Sequence, residues 1–193
     1  MSGGTTMIIT EFDRESIALK NQLTDLLALT WPKDYGETAS EKVEELLTDN
    51  RIAVAALEDD QLIGFVGAIP QYAMTGWEMH PLVVSSTQRG NRIGARLVQY
   101  LEKEVASKGG LTIYLGTDDE TNQTTLSEDD LFENPFEKIR QIKNKENHPF
   151  EFYEKQGYQI VGVLPDVNGW NKPDILMAKR VGKKVSESNT KQG

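Results

Sequence analysis

The 193-residue chain has no cysteine. Disulfide frameworks, thiolate metal sites and a cysteine nucleophile are therefore excluded, and the absence fits a reducing, cytoplasmic compartment. Histidine is nearly as scarce. His80 and His148 are the two present, too few for a histidine-based metal centre, so no metal is expected. No apolar run approaches the ~20 residues of a membrane span, and no membrane partner is expected. The opening MSGGTT carries no basic residue and no long apolar stretch follows it, so it does not read as a secretory signal. Met7 opens MIITEF as a natural start would, which makes residues 1–6 an expected appended extension. Basic residues are outnumbered, with 21 Lys and Arg against 30 Asp and Glu and a net charge of -9. Nucleic acid, which is held through clustered Lys and Arg, is not an expected partner. An acidic protein attracts cationic ligands, although acidity also serves solubility alone.

What is present reads as one ordinary domain. Hydrophobic residues make up 38% and charged residues 26%, enough apolar material for a core without covalent staples. MIITEF (7–12) reads as a strand. Leu19, Leu23, Leu26 and Leu27 form the stripe of a helix, which Trp31-Pro32 ends. Thr38 and Glu41 suggest a capping box for a second helix through Leu47. Two apolar runs split by Glu58-Asp59-Asp60 predict a hairpin, and TGWEMHPLVVSS adds a third strand. Ile93, Leu97, Leu101 and Val105 recur every fourth residue, predicting a helix that Gly109-Gly110 stops. LTIYLGT is apolar enough for the centre of a sheet. Residues 118–147 are polar and irregular, with a weak helical segment near Phe136 to Ile142. A short helix in HPFEFYEKQGY, with Pro149 in its first turn and Gly157 past its end, precedes two last strands, QIVGVLP and DILMAKRV. The polar tail over 182–193 is expected to be disordered. The order β-α-α-β-β-β-α-β-α-β-β indicates an α/β or α+β fold.

The most informative stretch is LVVSSTQRGNRIGARLVQYL. A strand ends, a loop with Arg89, Gly90, Asn91, Arg92, Ile93 and Gly94 follows, and an amphipathic helix begins at once. Small residues before a helix N-terminus make a cradle for pyrophosphate, or merely a strand–loop–helix connection. Upstream, Glu78 lies between Trp77 and Met79, so its side chain faces away from both. It is a candidate base for a substrate ammonium, or a solvent-facing strand glutamate. His80 shares that face by period two, as a proton shuttle or a structural histidine. Asp118, Asp119 and Glu120, with Glu128, Asp129 and Asp130, make the loop after the central strand acidic, a seat for ammonium groups.

The loop resembles the acetyl-CoA motif of the GNAT superfamily of N-acetyltransferases, R/Q-x-x-G-x-G/A. Arg89 matches its first position and Gly94 its last, while Arg92 stands where glycine is usual. Residues 7–181 follow the order of elements in that fold. Longer runs, including LTWPKDYG, TGWEMHPLVV, LEKEVASKGGLTIYLGTDD and VGVLPDVNGWNKPDILMAK, are similar to the aminoglycoside 6′-N-acetyltransferases of the chromosomal Gram-positive type. The resemblance implies a mixed, mostly antiparallel sheet splayed at the acetyl-CoA site, with helices on both faces. It implies acetyl-CoA as co-substrate and a β-bulge that frees backbone amides at Leu82, Val83 and Val84, the Leu82 amide stabilising the oxyanion. Pro81, which cannot donate a hydrogen bond, is consistent with an interrupted ladder. The resemblance also implies Tyr153 near the CoA sulfur as proton donor, and Glu78, Trp31 and Tyr72 at the aminoglycoside. With no cysteine to carry acetyl, direct transfer in a ternary complex is expected. A homodimer is implied, with a surface around Trp170 to Met177. Acetylation of another cationic amine, a polyamine or a protein, and a non-catalytic acyl-CoA sensor remain as alternatives.

Overall fold

The computed structural model describes residues 6–183. The expected extension (1–6) and tail (182–193) lie outside those residues except for Thr6, Gly182 and Lys183. The tail boundary moves slightly, because the Val181 and Gly182 amides both bond to the Leu111 carbonyl. Seven strands form one sheet in the order β1-β2-β3-β4-β5-β7-β6. They are β1 (Met7–Glu11), β2 (Ile52–Glu58), β3 (Gln61–Gln71), β4 (Gly76–Val84), β5 (Thr112–Asp118), β6 (Gln159–Leu164) and β7 (Asp174–Arg180). Every neighbouring pair is antiparallel except β4 with β5. The helices are α1 (Ile17–Thr30), α2 (Ala39–Leu46), α3 (Ile93–Ser107), α4 (Pro135–Arg140) and α5 (Phe150–Lys155). The fold is the expected mixed α/β one.

The two faces of the sheet carry separate cores. On one face α1 and α2 pack through Leu23, Leu27, Ala39, Val43 and Leu46 onto Ala53, Ala55, Phe65 and Val83. On the other, α3 packs through Ile93, Leu97, Val98, Leu101 and Val105 onto Val54, Val66 and Ala68. The four-residue spacing read in the sequence is thus the buried stripe of α3, whose residues are each at most 3% exposed. Burying each such side chain contributes about 1.5–3 kcal/mol. Gly64 lets α3 lie close to β3, since a Cβ there would meet Leu97 Cδ1 at 3.0 Å.

Local chemistry sets the ends. Ser16 caps α1 by accepting from the Leu19 amide at 3.2 Å. The capping box expected at Thr38 does not form. The Thr38 hydroxyl instead donates to the Tyr35 carbonyl at 2.9 Å, and a short 3₁₀ turn over Gly36–Thr38 leads into α2. Pro149 is the cap residue of α5 and not part of its first turn. Among the described residues, no helix is long and apolar enough to cross a membrane.

Candidate active site

β4 pairs with β5 over only three rungs, Gly76–Thr112, Trp77–Ile113 and Glu78–Tyr114. Beyond Glu78 the two strands diverge, although β4 runs on to Val84 and β5 to Asp118. On its other edge β4 pairs with β3, and here a bulge intervenes. Met79 lies opposite Ala68 and Leu82 opposite Val66, so Gly67 alone faces the two residues His80 and Pro81, which are joined by a cis bond. The close approach requires glycine. A Cβ at position 67 would stand 2.6 Å from the His80 carbonyl oxygen.

The bulge decides where the β4 amides point. Ser85 donates to the Ile63 carbonyl at 2.9 Å. Hydrogen-bonding positions on one edge of an antiparallel strand recur every second residue, so Val83 faces β3 while the amides of Leu82 and Val84 face the gap that β5 has left. The bulge also reverses the side-chain alternation. Trp77 and Met79 belong to the α3 core. Without an extra residue Leu82 would share the face of Glu78. It packs instead on the α3 side with Val84, and Val83 enters the α1–α2 core.

Glu78 and His80 project on the α1–α2 side, as period two predicts. His80 Nε2 lies 3.5 Å from the Tyr35 hydroxyl. Trp31 stacks at a tilt on Tyr35, with ring centroids 5.8 Å apart. His80 is exposed, and the partial desolvation of its ring pushes the imidazole below its ordinary value, opposed in part by Glu78. Burial, then Asp34, pushes the Tyr35 phenol up to about 12. Tyr114 faces Glu78 across the last β4–β5 rung and meets Tyr72 edge to face at 6.5 Å. Burial and then Glu78 raise its pKa. At the far end of β5, Asp118 stands opposite Asp174 of β7. The Asp174 carboxyl is pushed up to about 6 by burial and by Asp118, with a smaller contribution from Glu78. Its Oδ1 is buried without a hydrogen-bond partner.

The adjacent acid behaves otherwise. Asp119 is fully buried. Its Oδ1 accepts from the Gln123 amide at 2.6 Å, and its Oδ2 accepts from the Thr124 amide and hydroxyl at 2.9 and 2.8 Å. The expectation that Asp119 meets substrate is corrected: its carboxylate is consumed inside the loop that it folds. The segment read as irregular is organised around it, with a 3₁₀ turn at Thr125–Ser127 and α4.

The loop before α3 is exposed from Arg89 to Arg92. Among the described residues, the amides from Arg89 to Gly94 donate to no main-chain carbonyl, and the first α3 bond runs from the Arg96 amide to the Arg92 carbonyl. A 15-residue helix thus presents free N–H groups and its positive end beside the open strand. Gly90 has φ +87° and Arg92 φ +58°. The second value lies in the left-handed region, which explains physically why glycine suits position 92 and why arginine is strained there. A Cβ on Gly94 would meet Phe152 Cζ at 3.3 Å and Val84 Cγ2 at 3.8 Å, so the loop, the end of β4 and α5 converge on this residue.

α5 carries Tyr153, whose phenol burial pushes up to about 12, keeping it protonated at neutral pH. The ring meets Phe152 at 5.1 Å and Tyr158 at 6.0 Å. The structure therefore groups Glu78, His80, Trp31, Tyr72 and Asp118 on the α1–α2 side of the sheet, and sets Leu82 and Val84 beside the gap, with Gly94 packed on Phe152 of α5, the neighbour of Tyr153. Val83 is 3% exposed and its amide is turned to β3, which corrects its expected part in the freed backbone. Tyr35, Tyr114, His148 and Asp174 were missed. Their signal lies in strand pairing and helix docking, which a one-dimensional pattern does not carry. Ile175 and Met177 are both 0% exposed, so the surface expected over Trp170 to Met177 contracts toward the exposed Trp170. Among the described residues, no group of three or more His, Asp or Glu side chains is arranged to hold a metal ion. A groove of about 750 Å³ between α4, α5 and β6 contains none of the sequence-predicted site residues.

Residues 20–127 match the model of the acetyltransferase (GNAT) family. No curated protein matches by sequence. Among solved structures, the chain is similar to an aminoglycoside 6′-N-acetyltransferase complexed with coenzyme A, at 61% identity over 93% of this chain and 99% of that one, with a TM-score of 0.91. It is equally similar to the aminoglycoside 6′-N-acetyltransferase from Enterococcus faecium, at 61% identity over 93% and 99%, TM-score 0.90. An aminoglycoside 6′-acetyltransferase of type Ii matches at 54% identity over 92% and 99%, TM-score 0.75.

Proposed function

Since the chain belongs to the GNAT family of acetyltransferases, we propose that it transfers the acetyl group of acetyl-CoA to the 6′-amine of an aminoglycoside. The observation that carries this reading is the parting of β4 from β5 beside a free helix N-terminus, with a carboxylate at the point of parting. Acetyl-CoA lies along the gap. Its pyrophosphate meets the free amides of Arg89, Gly90, Asn91, Arg92, Ile93 and Gly94, and its thioester carbonyl meets the Leu82 amide. The Val84 amide receives the pantetheine arm.

The aminoglycoside lies on the α1–α2 side, against Trp31 and Tyr72, with ammonium groups at Glu78 and Asp118. Glu78 takes one proton from the 6′-ammonium, directly or through water, and His80 hands it toward solvent. The neutral amine attacks the thioester carbon. A C–N bond forms, and negative charge gathers on the oxygen held by the Leu82 amide. The C–S bond then breaks, the nitrogen loses its second proton, and Tyr153 protonates the departing thiolate. The balance is one amide, one thiol and one proton released. Transfer is direct within a ternary complex, since no cysteine is present to accept acetyl. Acetylation removes one positive charge from the drug, and the proposed consequence is resistance. Dependence on acetyl-CoA, an intracellular metabolite, supports a cytoplasmic location. Val161, Leu164, Val167 and Trp170 are exposed along β6 and the turn after it. We read them as the seat of a second copy in a homodimer.

The test is thiol release with a panel of aminoglycosides bearing either a 6′-amine or a 6′-hydroxyl, with spermidine and a short peptide alongside. Release only with the 6′-amino drugs is expected. Equal release with 6′-hydroxyl drugs would refute the regiochemistry, and release only with spermidine or peptide would refute the substrate class.

A further inference from the structure

His148 is 2% exposed and every polar atom it has is engaged. Its amide donates to Asn144 Oδ1 at 2.8 Å, and its carbonyl accepts from Asn144 Nδ2 at 2.9 Å. Its ring spans two elements. Nδ1 accepts from the Phe150 amide, the first of α5, at 3.2 Å, which leaves Nε2 to donate to the Asp118 carbonyl at 3.1 Å. Only the Nε2–H tautomer satisfies both partners.

α5 has six residues. A helix this short has no stability of its own, so its orientation comes from what grips its ends. The C-terminal end is held by Lys179, whose ammonium donates to the Gln156 carbonyl at 2.7 Å and pairs with Glu102 of α3. The N-terminal end is held by His148 to the last residue of β5. Between these ties lie Phe152, packed on Gly94, and Tyr153. We infer that His148 is a positioning residue for the transfer reaction: its two ring bonds fix α5 against the end of β5 and so set Tyr153 at the gap.

This rests on the reading of Tyr153 as proton donor, and the experiment separates the two. His148→Asn retains an acceptor in the place of Nδ1, and His148→Gln retains a donor in the place of Nε2. Each variant keeps one tie, so one serves where the other fails to fold. Steady-state kinetics are measured for both variants, for Tyr153→Phe, and for the double variants. The expected result is a loss of roughly tenfold in kcat for each His148 variant, about 1.4 kcal/mol of barrier, with KM for acetyl-CoA and for the drug within about twofold. In the Tyr153→Phe background the same changes are expected to cost less than about twofold, because a residue acting only through Tyr153 has nothing left to position. A full repeat of the loss in that background, or a loss confined to KM, overturns the assignment of His148 alone. A Tyr153→Phe enzyme with unchanged kcat overturns the reading of Tyr153 and this inference with it.

Discussion

Replacing Asp174 by asparagine is expected to stabilise the protein while weakening drug binding, and the size of the first effect follows from the site. The carboxyl of Asp174 is raised from 3.8 to about 6, first by burial and then by Asp118. A shift of about two units corresponds to roughly 3 kcal/mol of preference for the neutral form. The group is partly open to solvent, and screening reduces the realised value to about 1–2 kcal/mol. A carboxyl raised on folding contributes most below its unfolded pKa, and that contribution is lost as pH rises through the folded value. Wild type and Asp174→Asn are therefore expected to have equal stability near pH 3.5 or below. The variant gains over the window from about pH 4 to 6 and holds a constant lead above it, some 2–8 °C in Tm for a domain of this size. Thermal melts across this pH range, with drug affinity measured at pH 7.5, provide the assay. A lead independent of pH, or a variant less stable at pH 8, would refute the electrostatic reasoning. Unchanged drug affinity would show that the carboxylate draws no cation into the cleft.

Three further outcomes follow from backbone geometry and charge. Gly67→Ala drives a Cβ into the His80 carbonyl and is expected to cost about 1–3 kcal/mol by overpacking. It should also lower kcat at least tenfold as the bulge relaxes, and a variant equal to wild type in Tm and kcat would contradict the role given to the bulge. Arg92→Gly relieves a left-handed arginine and is expected to raise stability by about 1 kcal/mol, with urea melts as the check. A fall in stability would mean that the arginine side chain contributes more than its backbone costs. Glu78→Gln is expected to lower kcat/KM for the drug by roughly 10²–10⁴ while acetyl-CoA affinity, read by calorimetry, stays within about twofold. An unchanged turnover would remove Glu78 as the base.

Residues whose neighbours lie close in sequence were legible. The stripe Ile93, Leu97, Leu101 and Val105 fixed α3 and its buried face, and period two put Glu78 opposite Trp77 and Met79. Both are local signals. Alternation then failed within β4 itself, because the residue it would need to count against, Gly67, sits on another strand. Asp118 and Asp119 are indistinguishable as letters, yet the direction of one turn leaves the first exposed, accepting from the Asn168 side-chain amide, and buries the second on the Thr124 amide and hydroxyl. Tyr114 and Asp174 acquire their surroundings only when β5 pairs with β4 on one side and β7 on the other. His148 carries no signal of its role in the sequence, since nothing along the chain links it to Asp118, 30 residues away. The missed residues are those defined by strand order, which the pattern along the chain does not carry and which the sheet itself supplies.

Amide hydrogen exchange, resolved to single residues with and without acetyl-CoA, tests most directly whether open main chain on β4 grips the acyl donor. The account predicts fast exchange at Leu82 and Val84 in the free protein and marked slowing at both with acetyl-CoA, while Val83, already paired to β3, is slow in both states. Leu82 and Val84 protected without ligand, or exchanging at the same rate with it, would contradict that claim.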